Sequence, residues 1–141
     1  MPKDIRMPRS LLRSIVATFA ALLLVPSLAS AADVYEGYKR IGKVEASSSG
    51  KYDVKLGYSR VGYTKPGSGG RWDIYEGYSR VGYAKRGSGG RWDIYSGYSK
   101  VGYVASSGGR WQVYQGYTKV GYVSGGTGGA AGGAALLLLV G

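Results

Sequence analysis

The sequence predicts an all-β fold made of five tandem β-hairpins, and three observations carry that prediction. Near-copies of the text RWDIYEGYSRVGY, residues 71–83, recur every twenty residues, except that the fourth unit is one residue shorter. Each copy contains two short runs rich in aromatic and β-branched residues, which favour strands. Glycines separate the runs and the copies, and a fixed period of this length is typical of repeat architectures.

Residues 1–32 are predicted to be a signal peptide. Four basic residues lie within the first 13 positions, residues 15–25 form an uncharged apolar run, and Ala29, Ser30 and Ala31 form a small-residue cleavage site. The apolar run of 11 residues is shorter than the ~20 that a membrane-spanning helix needs. We expect cleavage near Ala31 or Ala32, and an exported protein that is periplasmic or secreted.

The repeat domain is predicted to cover residues 33–123. Aligning the five units with one another shows columns that hardly vary. The units begin at Asp33, Lys51, Arg71, Arg91 and Arg110; the invariant columns are glycine (Gly37, Gly57, Gly77, Gly97, Gly116), tyrosine (Tyr38, Tyr58, Tyr78, Tyr98, Tyr117), a basic residue (Arg40, Arg60, Arg80, Lys100, Lys119) and a second glycine (Gly42, Gly62, Gly82, Gly102, Gly121).

Within a unit, residues 72–75 and 80–83 are the predicted strands and residues 76–79 the turn. Gly77 is expected to supply the positive φ of the turn. A glycine in mid-strand, such as Gly82, indicates a bulge or the close approach of another backbone or ring. The glycine-rich segments between units, such as residues 87–90, are expected to be flexible reversals.

One hairpin is only marginally stable, so the units must bury a shared apolar face, for which we expect Ile74, Val81 and their equivalents. Five hairpins could close around a pseudo-five-fold axis or stack as an open β-hairpin solenoid. Open solenoids need atypical polar repeats at their ends, whereas the terminal units here keep the glycine, tyrosine and basic columns. The sequence therefore favours closure.

The text D-[IV]-Y-x-G-Y-[ST]-[RK]-V-G-Y, repeated five times behind a signal peptide, resembles the bacterial five-fold β-flower proteins. The resemblance covers residues 33–123, and the second unit departs from it at Lys55 and Leu56. It implies a closed ring of hairpins and no established activity. A weaker similarity, to choline-binding cell-wall repeats, corresponds to the open alternative.

The composition and charge of the chain limit the classes of function that it can have. The chain is glycine-rich and tyrosine-rich, with 26 Gly and 14 Tyr, and it has neither Cys nor His. The usual thiol, imidazole and metal-ligand constellations are therefore absent, so we expect no enzyme, no catalytic residue, no cofactor and no metal site. From residue 33 onward, 15 basic and 7 acidic residues give a net charge of +8. Such an excess attracts anionic polymers or membrane surfaces.

Two columns are candidate binding residues. The basic column, Arg40, Arg60, Arg80, Lys100 and Lys119, would form a ring of cations for an anionic polymer, or it would pair with the repeated Asp across strands, as Arg80 with Asp73. Trp72, Trp92 and Trp111 would be stacking platforms for sugar rings, or they would cover a small core. No specific nucleic-acid binding is expected.

Residues 124–141 lie outside the repeats, as a Gly/Ala-rich linker with a short apolar tail. We expect disorder in the glycine-rich half and weak membrane contact or self-association through residues 130–141. The combined prediction is an exported structural or interaction module of the bacterial cell envelope, with a carbohydrate-binding or anionic-polymer-binding module as the alternative.

Overall fold

A computed structural model describes residues 31–140 of the chain. The predicted signal peptide lies outside the described residues, apart from Ala31 and Ala32. The strands are β1 (Ala32–Glu36), β2 (Lys39–Ala46), β3 (Tyr52–Leu56), β4 (Ser59–Pro66), β5 (Trp72–Glu76), β6 (Ser79–Arg86), β7 (Trp92–Ser96), β8 (Ser99–Ser107), β9 (Arg110–Gln115) and β10 (Thr118–Val123).

The ten strands form one closed antiparallel barrel, which confirms the predicted closed all-β fold. Each strand pairs with its neighbours in the sequence, and β1 pairs with β10 through Val34 opposite Val123 and Tyr35 opposite Tyr122. This last pairing leaves no free sheet edge, and it excludes the open solenoid. Closure explains why the first and last units keep the repeat columns, because each has a hairpin on both sides.

The second strand of each hairpin is longer than predicted. β6 runs to Arg86 because its C-terminal part, from Gly82 onward, also pairs with β7. The segments between hairpins are defined turns rather than flexible reversals: the Gly87 N–H donates to the Arg91 carbonyl at 2.8 Å, and Gly89 and Gly90 take positive φ. In the shorter fourth unit, Gly108 and Gly109 alone connect β8 to β9.

The inner face of the wall carries two buried side chains from each hairpin. The Val/Ile column of the first strands, which includes Ile74, is fully buried as predicted. The second strands add Val44, Thr64, Ala84, Val104 and Val123. Thr64 is the one polar member, and its hydroxyl donates to the Asp73 carbonyl at 3.0 Å.

Val81 does not share this buried face, and that expectation is wrong. Ile74 pairs with Gly82 but Tyr75 pairs with Arg80, so Val81 is the extra residue of a β-bulge. One extra residue shifts the alternation of side chains, which leaves Val81 only partly buried. The same register shift occurs in all five hairpins.

The expectation of disorder in the tail is also wrong. Residues 128–134 form an α-helix, α1 (Gly128–Ala134), which continues as a π-helical turn (Ala135–Leu139) inside the barrel. Every residue from 128 to 136 is buried. Ten strands enclose a wider interior than their small inward side chains can fill, and the helix occupies the space.

Small residues on both partners allow the helix to fit. A side chain at Gly132 would meet the Ala84 methyl group, and one at Gly133 would meet Thr64. Thr127 caps the helix, accepting a hydrogen bond from the Ala130 N–H at 3.2 Å. No helix within residues 31–140 has the length and apolar character to cross a bilayer.

Candidate binding surface

Five hairpin turns form one end of the barrel, called here the turn rim and defined by residues 36–41, 56–61, 76–81, 96–101 and 115–120. Each turn contains two residues, and only the first, glycine, has positive φ, 63° at Gly77. That pattern is the type II′ turn, whose twist matches the flanking strands. The predicted role of Gly77 is therefore confirmed.

The second residue of every turn is a tyrosine that projects fully into solvent. The exposed fractions are 100% for Tyr38, 97% for Tyr58, 100% for Tyr78, 95% for Tyr98 and 98% for Tyr117. The other exposed large hydrophobic residue described, Leu56, is 51% exposed and lies on the same rim. Within residues 31–140, exposed large hydrophobic side chains are thus concentrated at one end of the barrel.

The C-terminal leucines fill the barrel mouth inside this ring of tyrosines. Leu136, Leu137, Leu138 and Leu139 point at the wall glycines Gly82, Gly62, Gly42 and Gly121 in turn. Gly82 pairs with Ser96, the last residue before a turn, so this level of the wall adjoins the turn rim. Residues 137–139 remain partly exposed.

Five open clefts, of about 150 to 320 Å³, separate neighbouring hairpins at the turn rim. Each is lined by the basic-column residue and bulge of one hairpin and by the Gly-Tyr turn of the next. In one of them, Arg60, Val61 and Tyr63 face Gly77 and Tyr78. The clefts contain the predicted basic residues Arg40, Arg60, Arg80, Lys100 and Lys119.

Comparisons with protein families, with characterised proteins and with solved structures gave no match.

Most of the basic column is engaged in cross-strand ion pairs. Arg40 pairs with Asp33 at 2.9 Å, Arg80 with Asp73 at 3.2 Å and Lys100 with Asp93 at 3.1 Å; Arg60 pairs with Asp53 at 3.3 Å. Lys119 differs, because Gln112 replaces the Asp, and no carboxylate of the described chain lies within 4 Å of it. These pairs hold register, and their half-exposed cations still face the clefts.

Trp72, Trp92 and Trp111 lie at the opposite end, where the chain passes between hairpins. This end is called here the linker rim and is defined by residues 46–52, 66–72, 86–92 and 106–111. They are partly buried and pack against the core. A side chain at Gly129 would overlap the Trp72 indole, and one at Gly128 would overlap Trp92. The Trp111 indole N–H donates to the Gly126 carbonyl at 3.0 Å. The tryptophans therefore surround the start of α1, on the end away from the basic column.

The outer wall is held by stacked tyrosines at four of the five seams between hairpins. The ring centroids of Tyr63 and Tyr75 are 4.9 Å apart, and the other three pairs are Tyr35–Tyr122, Tyr83–Tyr95 and Tyr103–Tyr114. Cations cover these rings, as Arg91 does over Tyr103 at 4.5 Å. These aromatic side chains serve the wall, in contrast to the rim tyrosines.

The fifth seam replaces the tyrosine pair by an ionic cluster. Lys43 and Lys55 face each other across the strands, and Glu45 bridges them at 3.3 Å and 2.9 Å. Hydrogen bonds from Lys55 and Lys43 hold the pKa of the Glu45 carboxyl below its ordinary value of 4.5. Lys43 of the first unit and Lys55 of the second, which both replace a tyrosine of the repeat, are therefore compensated within one seam.

The lowered pKa of Glu45 predicts a small acid-dependent loss of stability. A depressed pKa in the folded state stabilises the barrel above the unfolded-state value, and this contribution is lost as pH falls through the folded-state value. As the pH falls from about 5 to about 3, the free energy of unfolding should decrease more steeply in the natural protein than in Glu45→Gln. The difference should stay below about 1 kcal/mol, the range of exposed ion pairs. Denaturant titrations across pH measure it, and parallel curves for the two proteins would contradict it.

Sequence reasoning missed the rim tyrosines as candidate binding residues, although their column was visible. Asn, Asp, Ser and Gly favour turn positions for conformational reasons, whereas tyrosine has no such advantage. An aromatic residue kept at the tip of five turns was the available signal. Within the described chain, no three carboxylates group closely enough to hold a metal ion.

Proposed function

We propose that the protein is an exported, non-enzymatic interaction module of the bacterial cell envelope that binds its partner through the turn rim. In this proposal the barrel is a five-fold β-flower in the sense of the resemblance above, and the five hairpins act together. The fold supplies the scaffold, and the rim supplies the contact surface.

The solvent exposure of the tyrosine column carries the proposal. Tyr78 is fully exposed, as is Tyr38, and the other three are at least 95% exposed. They contribute no packing that would explain their presence in all five units. Exposed apolar groups gathered on one surface commonly mark an interaction site. A binding role accounts for a residue that is kept in every copy and buried in none.

Five equivalent contacts favour a polyvalent partner. Each cleft offers one rim tyrosine and one or two cations, so a single contact is small and weak. Linked contacts raise the overall affinity by large factors when the partner can reach several of them at once. A repeating or extended surface, such as an anionic envelope polymer or membrane, fits this arrangement better than a single small molecule.

Export is part of the proposal and rests on residues 1–32. Their basic start, apolar run and Ala-Ser-Ala site have the properties of a cleaved signal peptide. The described barrel begins at Ala32, next to the expected cleavage site. Mass spectrometry of protein recovered from the periplasm and medium should find a mature N-terminus near Ala32. Intact protein confined to the cytoplasm would contradict export.

The test of the binding role is sedimentation with isolated cell envelopes. The rim variant Tyr58→Ser, Tyr78→Ser, Tyr98→Ser should have an affinity roughly tenfold lower than the natural protein, or lower still, because the effects of losing several linked contacts multiply. The matched control Lys65→Gln, Lys85→Gln, Arg86→Gln changes three cations in or beside the linker rim, of which Lys65 is half-buried and the other two are exposed. It should keep most of the binding. Equal binding by the natural protein and the rim variant would contradict the proposed function.

A further inference from the structure

We propose that the turn rim docks on the surface of an anionic lipid bilayer, with the tyrosine tips and the mouth leucines at the headgroup level. This inference rests on the proposed function and names the partner of the same surface. The barrel would attach to one face of the bilayer without crossing it.

An apolar centre is the first requirement, and the barrel mouth provides it. Leu137, Leu138 and Leu139 are partly exposed at the end of the internal helix. The partly buried bulge residues, which line the clefts of the same rim, add further apolar surface: Ile41, Val61, Val81, Val101 and Val120. Leu56 adds a half-exposed side chain on the rim itself. Burial of apolar area is the main source of affinity for an interfacial membrane protein.

An aromatic belt is the second requirement, and the five tyrosines form one around that centre. Tyrosine has an apolar ring and a hydroxyl that remains hydrated, which suits the boundary between headgroups and acyl chains. The five tips occupy equivalent places in a closed ring, so they point to the same side of the barrel. A flat partner can therefore contact all of them together. A bilayer has that shape, whereas one glycan chain would cross only some of the tips.

The net positive charge of the turn rim predicts that it prefers anionic lipid over neutral lipid. The turn rim contains six basic residues (Lys39, Arg40, Arg60, Arg80, Lys100, Lys119) and two acidic ones (Glu36, Glu76). Four of the basic side chains are paired with Asp residues that lie further from the turns. Lys119 keeps its charge without such a partner in residues 31–140, because Gln112 replaces the Asp. The excess is moderate, so we expect anionic lipid to strengthen a contact that the apolar and aromatic groups also support.

The test is flotation of the processed, exported protein with vesicles, one set of phosphatidylcholine alone and one of equal parts phosphatidylcholine and phosphatidylglycerol. The natural protein should float with the anionic vesicles, more weakly with the neutral ones, and less as salt rises. The rim variant Tyr58→Ser, Tyr78→Ser, Tyr98→Ser should lose roughly tenfold or more of the partitioning, because apolar area buried at the interface sets affinity. Leu56→Ser should lose a smaller share.

Controls separate a specific docking face from general attraction of a basic protein. The linker-rim variant Lys65→Gln, Lys85→Gln, Arg86→Gln removes three charges and keeps all rim tyrosines, so it should retain most of the vesicle binding. Circular dichroism and thermal melting should show that both variants fold as the natural protein does. If the charge variant loses binding and the tyrosine variant keeps it, docking through the turn rim is overturned.

Other outcomes distinguish this inference from the proposed function. Tyrosine-dependent binding to a soluble anionic polysaccharide, without vesicle binding, would overturn bilayer docking and leave the turn rim as a binding surface. A tyrosine-dependent dimer that does not float would also overturn it, with a second copy as the occupant. Failure to bind vesicles, polysaccharide or isolated envelopes would contradict the proposed function itself.

Discussion

Deletion of residues 128–141 is expected to abolish cooperative folding of the barrel, although every strand remains in the chain. The deleted segment supplies Ala130, Ala131, Ala134, Ala135, Leu136 and Val140 to the buried core. Without them, the inward Val and Ile residues would face an empty or hydrated interior. Loss of a whole packed element exceeds the cost of one large core truncation, about 2–5 kcal/mol, and approaches the total stability of a domain, about 5–15 kcal/mol. Near-ultraviolet circular dichroism and thermal melting would show the loss.

A peptide of residues 124–141, added to the truncated chain, is the control for that deletion. It should restore part of the thermal transition, because the lumen that it fills is formed by the strands. A scrambled peptide of the same composition should not. A truncated chain that melts with the same midpoint and the same steepness as the natural protein would contradict the packing described here.

Gly82→Ala is expected to cost about 1–3 kcal/mol, the range for overpacking a well-packed interior. A Cβ at this position would overlap the Tyr95 carbonyl oxygen of the adjacent strand and would lie 2.7 Å from the Leu136 side chain. The carbonyl belongs to the sheet backbone and cannot move without disturbing the pairing. Denaturant unfolding, monitored by tryptophan fluorescence, measures the change.

Gly125→Ala is the matched control for Gly82→Ala. A Cβ there would be 3.9 Å from the Ala32 methyl group, an ordinary contact, and Gly125 does not have positive φ. Its effect on the free energy of unfolding should lie within about 0.5 kcal/mol, as for most surface substitutions. Equal destabilisation by the two substitutions would show that the wall glycines have no special role.

Much of the barrel wall could be predicted from the sequence, because the five copies constrain one another. The strand runs, the turn at Gly77 and the buried Val/Ile column follow from local pattern, and closure follows from the regularity of the first and last units. The mid-strand position of Gly82 also predicts a bulge or a close backbone approach. Both occur: the bulge is at Val81, and the approach is to the Tyr95 carbonyl.

The internal helix could not be predicted in the same way. Four of the seven residues in α1 are glycine, which disfavours a helix by about 1 kcal/mol each relative to alanine. Local propensity therefore indicates disorder. The helix forms because it packs against the inner wall of the barrel, and the narrow space there admits only small residues. Gly128 and Gly129 touch indole rings, and Gly132 and Gly133 touch Ala84 and Thr64. Tertiary packing overrides propensity here, and the width of the lumen depends on the whole closed sheet.

The candidate site was only partly predicted. The basic column does lie at one rim, in clefts, but its Asp partners make most of it part of the wall. The tryptophans are candidate stacking platforms in the sequence, yet they pack around the start of the helix at the other end. Exposure of the turn tyrosines depends on which side of each hairpin the neighbours cover, and a single unit does not contain that information.

Site-specific labelling tests most directly whether the turn rim contacts the membrane. The chain has no cysteine, so Ser79→Cys at the turn rim and Ser88→Cys at the linker rim each provide one attachment point for an environment-sensitive dye. Both serines are exposed, and neither change removes a tyrosine. With anionic vesicles, the dye at position 79 should shift to the blue and be quenched by lipids with quenchers near the headgroups, while the dye at position 88 should not respond. An equal response at both positions, or a response at position 88 alone, would contradict docking through the turn rim.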